Sequence, residues 1–251
     1  MMYSDTSGKS GLLQDCEFWT NLGDAGVSGN ATLKSQFTGR LNDWYHKVVT
    51  MILNSQDESD FDDINHTNYP VLKVSLVANQ RDYQISASEK MLKIKRIDIC
   101  PNGIGNTCYK AEAFDSGEYG LGMGNDTDVD ANFAVSEPKY DLKNNSIWIY
   151  PRATAANVTN SGVIRAEWIR EIDEFTTSDT TQEPGFDEPF HRMLSIGASY
   201  DWILVNKSEN TALITRLEGL LADYEARLKK HFGSKQLDRQ YALKGAYIDY
   251  N

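Results

Sequence analysis

Five oxygen-bearing residues stand close together: Asp126, Asp128, Asp130, Asn132 and Glu137 occupy positions 1, 3, 5, 7 and 12 of an EF-hand-like loop. That spacing can wrap a hard cation such as Ca²⁺ in carboxylate and amide oxygens. The flanks argue against it. Ala131 stands where the sharp turn needs glycine, Pro138 bars an exiting helix, and no helical pattern leads in. The expectation is a solvated acidic loop without a metal. A second acidic run, Asp57-Glu58-Ser59-Asp60-Phe61-Asp62-Asp63, holds five carboxylates in seven residues but lacks a fixed ligand spacing, and reads as a solvated loop. The glycine-rich Gly120-Leu121-Gly122-Met123-Gly124-Asn125 is not followed by a helical pattern, so it does not read as a phosphate cradle.

The four histidines, His46, His66, His191 and His231, form no HExxH or HxH arrangement. His46 lies beside an apolar helical stripe and His231 in a basic last turn, where structural roles are expected. There is no GxSxG, no GxxxxGK[ST] and no catalytic cysteine signature. The chain reads as a non-enzyme with no cofactor. Of the three cysteines, Cys100 and Cys108 could meet across a turn, but no CxxC spacing exists, and the expectation is three reduced thiols in a cytosolic product. The Asn-X-Thr sequons at Asn30, Asn65, Asn125 and Asn157 then carry no weight.

Composition narrows the classes further. With 251 residues, 40% hydrophobic and 11% aromatic, the chain can build a real core and is not a disordered segment. Its 25 bases and 36 acids leave a net charge of −11, against a dedicated duplex-binding surface. No apolar run approaches the ~20 residues that span a bilayer. The opening Met1-Met2-Tyr3-Ser4-Asp5 lacks the basic and apolar regions of a signal peptide.

The elements that would position these residues follow from periodicity. Residues 1–31 form a glycine-rich arm (Gly8, Gly11, Gly23, Gly26, Gly29), irregular apart from a short turn around Leu12-Leu13 and Phe18-Trp19. Thr32 reads as the N-cap of a helix ending near Asn54, with Phe37, Leu41, Trp44, Val48 and Ile52 on one stripe widened by Tyr45 and Val49. Residues 70–175 are β-rich. Strands are expected at 71–77, 82–85, 91–99, 145–150 and 163–172, with a bulge at Lys95-Arg96, a turn at Pro101-Asn102-Gly103 and a long loop over 114–133. Residues 171–188 carry seven acids and no base and read as a linker. A helix over 188–205, with Pro189 in its first turn, and another over 209–232 come next. The second has Ser208 as N-cap, Leu213, Leu217, Leu220, Leu221, Tyr224 and Leu228 as its stripe, and Gly233 as C-cap. The last segment, 234–251, is a polar tail. The fold class is therefore α+β. The helices of 32–56 and 186–233 are expected to form an antiparallel bundle, packed through Phe37, Leu41, Trp44, Val48, Ile52, Phe190, Leu194, Leu217, Leu221, Tyr224 and Leu228, with the β-rich region as an insertion.

The order of motifs resembles that of the head-to-tail adaptor, or connector, proteins of tailed bacteriophages. FTGRLNDWYHKVVTMI at 37–52 is similar to their opening helix. Asp82-Tyr83-Gln84-Ile85 followed by Met91-Leu92-Lys93-Ile94-Lys95-Arg96-Ile97-Asp98-Ile99 resembles their strand pair. Ser146-Ile147-Trp148-Ile149-Tyr150-Pro151, then Ile164-Arg165-Ala166-Glu167-Trp168-Ile169-Arg170, match the strands that follow. Pro184 to Trp202 and the helix at 217–232 match the close, so the resemblance spans 33–232, while the 100–145 loop and the glycine-rich arm depart from the compact form.

The resemblance implies a structural virion protein of the head-tail neck, assembled in the host cytoplasm. It implies a homo-oligomeric ring, usually twelvefold, that binds the portal, extends the DNA channel and carries the next neck or tail protein. It implies passage of genomic DNA without specific binding, and no membrane. Residues 227–251 hold six bases and two acids, against −15 for the rest of the chain. That basic end assigns portal or neighbour docking to Arg227, Lys229, Lys230, Lys235, Arg239, Tyr241, Lys244, Tyr247 and Tyr250. Asp57, Glu58, Asp60, Asp62 and Asp63 would face the lumen or surface and let DNA slide. Two rivals stand beside this reading. One is a tail or baseplate module whose β-rich region binds a protein or a glycan through Trp148, Tyr150 and Trp168. The other is a metal-dependent hydrolase built on the acidic loops.

Overall fold

The structure, a computed structural model, describes residues 1–55, 61–85, 91–115, 130–143 and 146–234. The chain is α+β and divides into two units: 1–67 with 172–251, and 68–171.

The first unit is helical. Helices α1 (Leu12–Thr20) and α2 (Ala31–Asn54) come from its first segment. A 3₁₀ turn (Glu188–Phe190) leads into α4 (Arg192–Asn206) and α5 (Thr211–Ser234) in its second. Asn30, not Thr32, caps α2: its Oδ1 accepts from the amides of Thr32 at 3.0 Å and Leu33 at 3.1 Å. The buried face of α2 is Phe37, Thr38, Leu41, Trp44, Tyr45, Val48, Val49 and Ile52, a helical stripe. Helix α4 packs against α1, α2 and α5, so its burial runs almost all round, through Met193, Leu194, Ile196, Ala198, Trp202 and Ile203. Its small residues permit this. A Cβ on Gly197 would sit 2.1 Å from the Trp44 indole, so α2 and α4 meet closely only because position 197 is glycine. Helix α5 runs through Gly233 to Ser234, so Gly233 does not end it. Asn210, whose Oδ1 takes the Leu213 amide at 3.3 Å, does the capping expected of Ser208.

The first 31 residues are not an irregular arm. Leu12, Leu13, Cys16 and Trp19 of α1 lie in the same core cluster as Phe37 and Leu194, and Tyr3 is fully buried, its hydroxyl 2.6 Å from Thr38 Oγ1. The glycine-rich turn after α1 is fastened by Glu17, whose buried carboxylate accepts from the amides of Val27 at 3.1 Å and Ser28 at 2.7 Å.

The second unit contains two four-stranded sheets that share one apolar core. Its strands are β1 (Val71–Ser75), β2 (Asp82–Gln84), β3 (Met91–Cys100), β4 (Tyr109–Lys110), β5 (Glu112–Ala113), β6 (Lys139–Lys143), β7 (Ser146–Tyr150) and β8 (Val163–Arg170). The first sheet runs β1-β8-β3-β4, all antiparallel; the second runs β2-β7-β6-β5, with β5 and β6 parallel. Ile97 and Ile99 of β3, Ile164 and Ala166 of β8, and Ile147 and Ile149 of β7 fill the space between them. The phase change at Lys95-Arg96 is a register shift between Ile94 and Arg96, which turns Ile97 and Ile99 inward. The short strands β4 and β5, and β6, replace part of the loop expected over 100–145. A short helix, α3 (Ala155–Thr159), is closed by a Thr154–Asn157 capping box. The unit ends at residue 171: Ile172 and Phe175, placed by sequence in the β-rich region, belong to the helical core.

The expectation of three free thiols is corrected. Ile99 and Tyr109 pair across β3 and β4, so Cys100 and Cys108 are the next opposed positions, with Cα atoms 4.1 Å apart, and they form a disulfide. Cys16 stays free and fully buried, and burial pushes its thiol well up from the ordinary value.

Candidate interaction surfaces

The predicted packing residues come together. Phe37, Leu41, Trp44, Val48, Ile52, Phe190, Leu194, Leu217, Leu221 and Leu228 are all buried in one cluster, with Tyr224 packed partly buried against it. They are scaffold, not chemistry.

Asp63 is not a surface or lumen acid. It is 2% exposed, and its carboxylate ties its own loop and the 171–187 connection to α2. Oδ2 accepts from the Tyr45 hydroxyl at 2.6 Å and the Asp173 amide at 3.0 Å; Oδ1 accepts from the Asn65 amide and side chain, both at 2.9 Å. The Gly185 amide donates to the Tyr45 oxygen. A Cβ on Gly185 would lie 1.8 Å from Asp63 Oδ1, so only glycine fits there. Burial, then the neighbouring Asp63 charge, raises the Tyr45 hydroxyl far above its ordinary value and keeps it protonated as a donor. Asp62 is half-buried, and Asp57, Glu58 and Asp60 lie outside the described residues.

Three of the four histidines, His46, His191 and His231, hold the 171–191 stretch. His46 Nε2 lies 2.8 Å from Glu174, and His231 Nε2 lies 2.6 Å from Asp187. His191 is buried, with Nε2 donating to the Phe186 carbonyl at 2.6 Å, and burial lowers its pKa. Asn42 fastens the same stretch by a reciprocal pair with the Phe175 backbone, 3.0 Å each way.

The EF-hand-like loop has Asp126 and Asp128 outside the described residues. Asp130 is engaged by two arginines, Arg81 at 2.9 Å and Arg152 at 2.6 Å, and Arg81 stacks over Tyr150 at 4.5 Å. Among the described residues no cluster of His, Cys, Asp or Glu could hold a metal. A cavity of ≈ 20 Å³ lined by Leu76, Ile99, Ile149, Arg152 and Asn157 has room for about one water molecule. The aromatic platform of the glycan reading is not formed. Tyr150 is buried against Phe114 and Phe133, Trp168 is buried, and Trp148 alone is partly open, beneath Lys143. Three sequon asparagines have structural posts: Asn30 caps α2, Asn65 binds Asp63 and Asn157 completes the box of α3.

Of the predicted docking residues, Lys235, Arg239, Tyr241, Lys244, Tyr247 and Tyr250 lie outside the described residues. Arg227 pairs with Asp223 and lies over the Tyr224 ring, and Lys229 pairs with Glu225 at 2.5 Å. Lys230 is exposed. The helix end is thus less basic than its lysine and arginine count, because two of its cations face acids one turn back.

A surface that sequence reasoning missed is the outer face of the first sheet. Pairing aligns Lys73 of β1, Arg165 of β8, Asp98 of β3 and Lys110 of β4 in one row across four strands, with Glu167 and Arg96 opposed in the next. Asp98 is 2% exposed because arginines cover it: Arg96 Nε donates to Oδ1 at 2.7 Å and Arg165 lies 3.9 Å from Oδ2. Arg165 also donates to Glu167 at 2.5 Å. Lys73 and Lys110 are exposed, with no carboxylate in ion-pairing range among the described residues. The signal available in sequence was the alternation of Arg96 and Asp98 in β3 and of Arg165 and Glu167 in β8, between inward apolar positions. By sequence, the helical unit holds 13 bases and 23 acids, a net −10, and the β unit 12 and 13, a net −1. No protein-family model matches the chain, and no curated protein matches it in sequence. No helix among the described residues is long and apolar enough to cross a membrane.

Proposed function

We propose that this chain is a structural protein of a tailed-bacteriophage virion, the head-to-tail adaptor of the neck. In this reading copies assemble as a twelvefold ring, dock beneath the portal, extend the DNA channel and present a platform to the next neck or tail protein. Helix α2 and the α4–α5 pair form an antiparallel bundle, the rigid wedge of each copy, and the β unit is an insertion into it. The observation that carries the reading is the pairing of α2 with α4 although 137 residues lie between them in the chain. The motif order that resembles the adaptors requires the opening and closing helices to meet in that way.

Charge supports the same reading. A helical unit of net −10 would repel phosphate and let DNA pass without being held. The tail beyond 234, with a small excess of base and three tyrosines, would reach the portal. Sizing the protein alone and with its portal tests the proposal. Co-elution with the portal, lost on truncation after Phe232, is expected. A truncated chain that binds the portal normally would remove the tail from docking, and a full chain that never binds would overturn the function.

A further inference from the structure

We propose that the outer face of the β1-β8-β3-β4 sheet is the surface on which a second copy of this chain docks, through that copy's acidic helical unit. The inference rests on the ring reading above and adds to it the contact that builds the ring. The face is cationic and set in advance. Arg96 and Arg165 are held over Asp98, and Lys73 and Lys110 project from the two flanking strands of the same row. Four cations stand against two acids in these rows, Asp98 and Glu167, the more buried of which is covered, and the neighbouring Glu112, paired with Lys139, is the further carboxylate that Lys110 feels.

The partner is argued from charge. The helical unit carries nearly all the net negative charge of the chain, and residues 173–188 alone hold six acids and no base. Asp173, Glu174 and Glu188 are exposed there. The backbone at Asp173 and Phe175 is already fixed by Asp63 and Asn42, so little ordering is lost on contact there. Arg165 and Glu167 are adjacent outward positions of opposite sign, which suits a protein partner able to match both signs; a phosphate backbone would meet Glu167 with like charge. Because the two patches differ, the contact is head-to-tail rather than two-fold, and repetition builds a ring when the rotation between copies closes, as the ring reading requires.

The test is sedimentation of the full chain, alone and mixed with the portal, at about 50 mM and 500 mM salt, where exposed charges are weakly and strongly screened. Self-association of the wild type is expected to fall with salt. Lys73→Glu with Lys110→Glu is expected to weaken it by roughly tenfold or more, and adding Asp173→Lys with Glu188→Lys to restore it. Circular dichroism checks that the variants fold. Association that ignores the reversal, free and on the portal, overturns this inference and leaves the ring reading standing. Duplex DNA bound by the wild type and lost in the reversal, with association unchanged, assigns the face to nucleic acid and overturns the inference. A wild-type chain that self-associates in neither setting overturns both.

Discussion

The two units bury acids by different means. In the helical unit, Glu17 and Asp63 are satisfied mainly by backbone amides and neutral side chains: Val27 and Ser28 for the first, Asp173, Asn65 and the Tyr45 hydroxyl for the second. In the β unit the buried Asp98 is satisfied by guanidinium groups, those of Arg96 and Arg165, while arginines engage part-exposed acids in both units, Asp130 through Arg81 and Arg152 and Asp15 through Arg192. An amide donor satisfies a carboxylate without cancelling its charge, whereas an arginine does both. The helical unit, with 23 acids to 13 bases, stays strongly negative, and the β unit is close to neutral with four of its cations, Lys73, Arg96, Lys110 and Arg165, on one sheet face.

The largest effect is expected where an amide-bound acid is removed. Asp63→Ala leaves the Tyr45 hydroxyl and the Asp173 and Asn65 amides without their acceptor, and should cost the helical unit about 3–5 kcal/mol. Hydrogen exchange should report lost protection in 172–186 and α2 while the β unit keeps its own. An equal loss in both units would break the comparison. Next is the disulfide. Reducing Cys100–Cys108 opens a short loop and should lower β-unit stability by about 2–3 kcal/mol, read by urea unfolding with and without reductant. Thiol counting sharpens it: one free cysteine before reduction and three after. Asp98→Ala should cost less, about 1 kcal/mol, because Arg96 is half-exposed and water can take over part of the interaction.

The smallest effect is a pH dependence. His191 is buried among the Glu183 and Glu188 carboxylates and the Met1 amine, and burial depresses its pKa below the ordinary 6.5. The unfolded chain then binds the proton more readily, so the contribution of His191 is complete above about pH 6.5 and declines as pH falls below it. Melting temperatures of wild type and His191→Gln should differ in slope between about pH 7 and 5, with the wild type losing more.

What the sequence disclosed follows from period and locality. The stripe of α2 repeats every three or four residues over six turns, and the same spacing was available in Leu12, Leu13, Cys16, Trp19 and Thr20 of α1, hidden by the glycines around it. Strands β4 and β5 are two residues each and exist only through their partners, so no local pattern announces them. Asp63 is chemically identical to the other acids of its run. Its burial depends on Tyr45, Asp173 and Gly185, which are distant in sequence. The charged row of the first sheet depends on register, which a single sequence does not fix. The motifs that suggest the adaptor were local strings and could be read directly.

The proposed ring of this chain beneath a portal is tested most directly by electron microscopy of the purified protein mixed with that portal. The account predicts class averages with a closed, twelvefold collar of this protein on one end of the portal. Isolated monomers or trimers beside bare portals, with affinity for a glycan in their place, would contradict it.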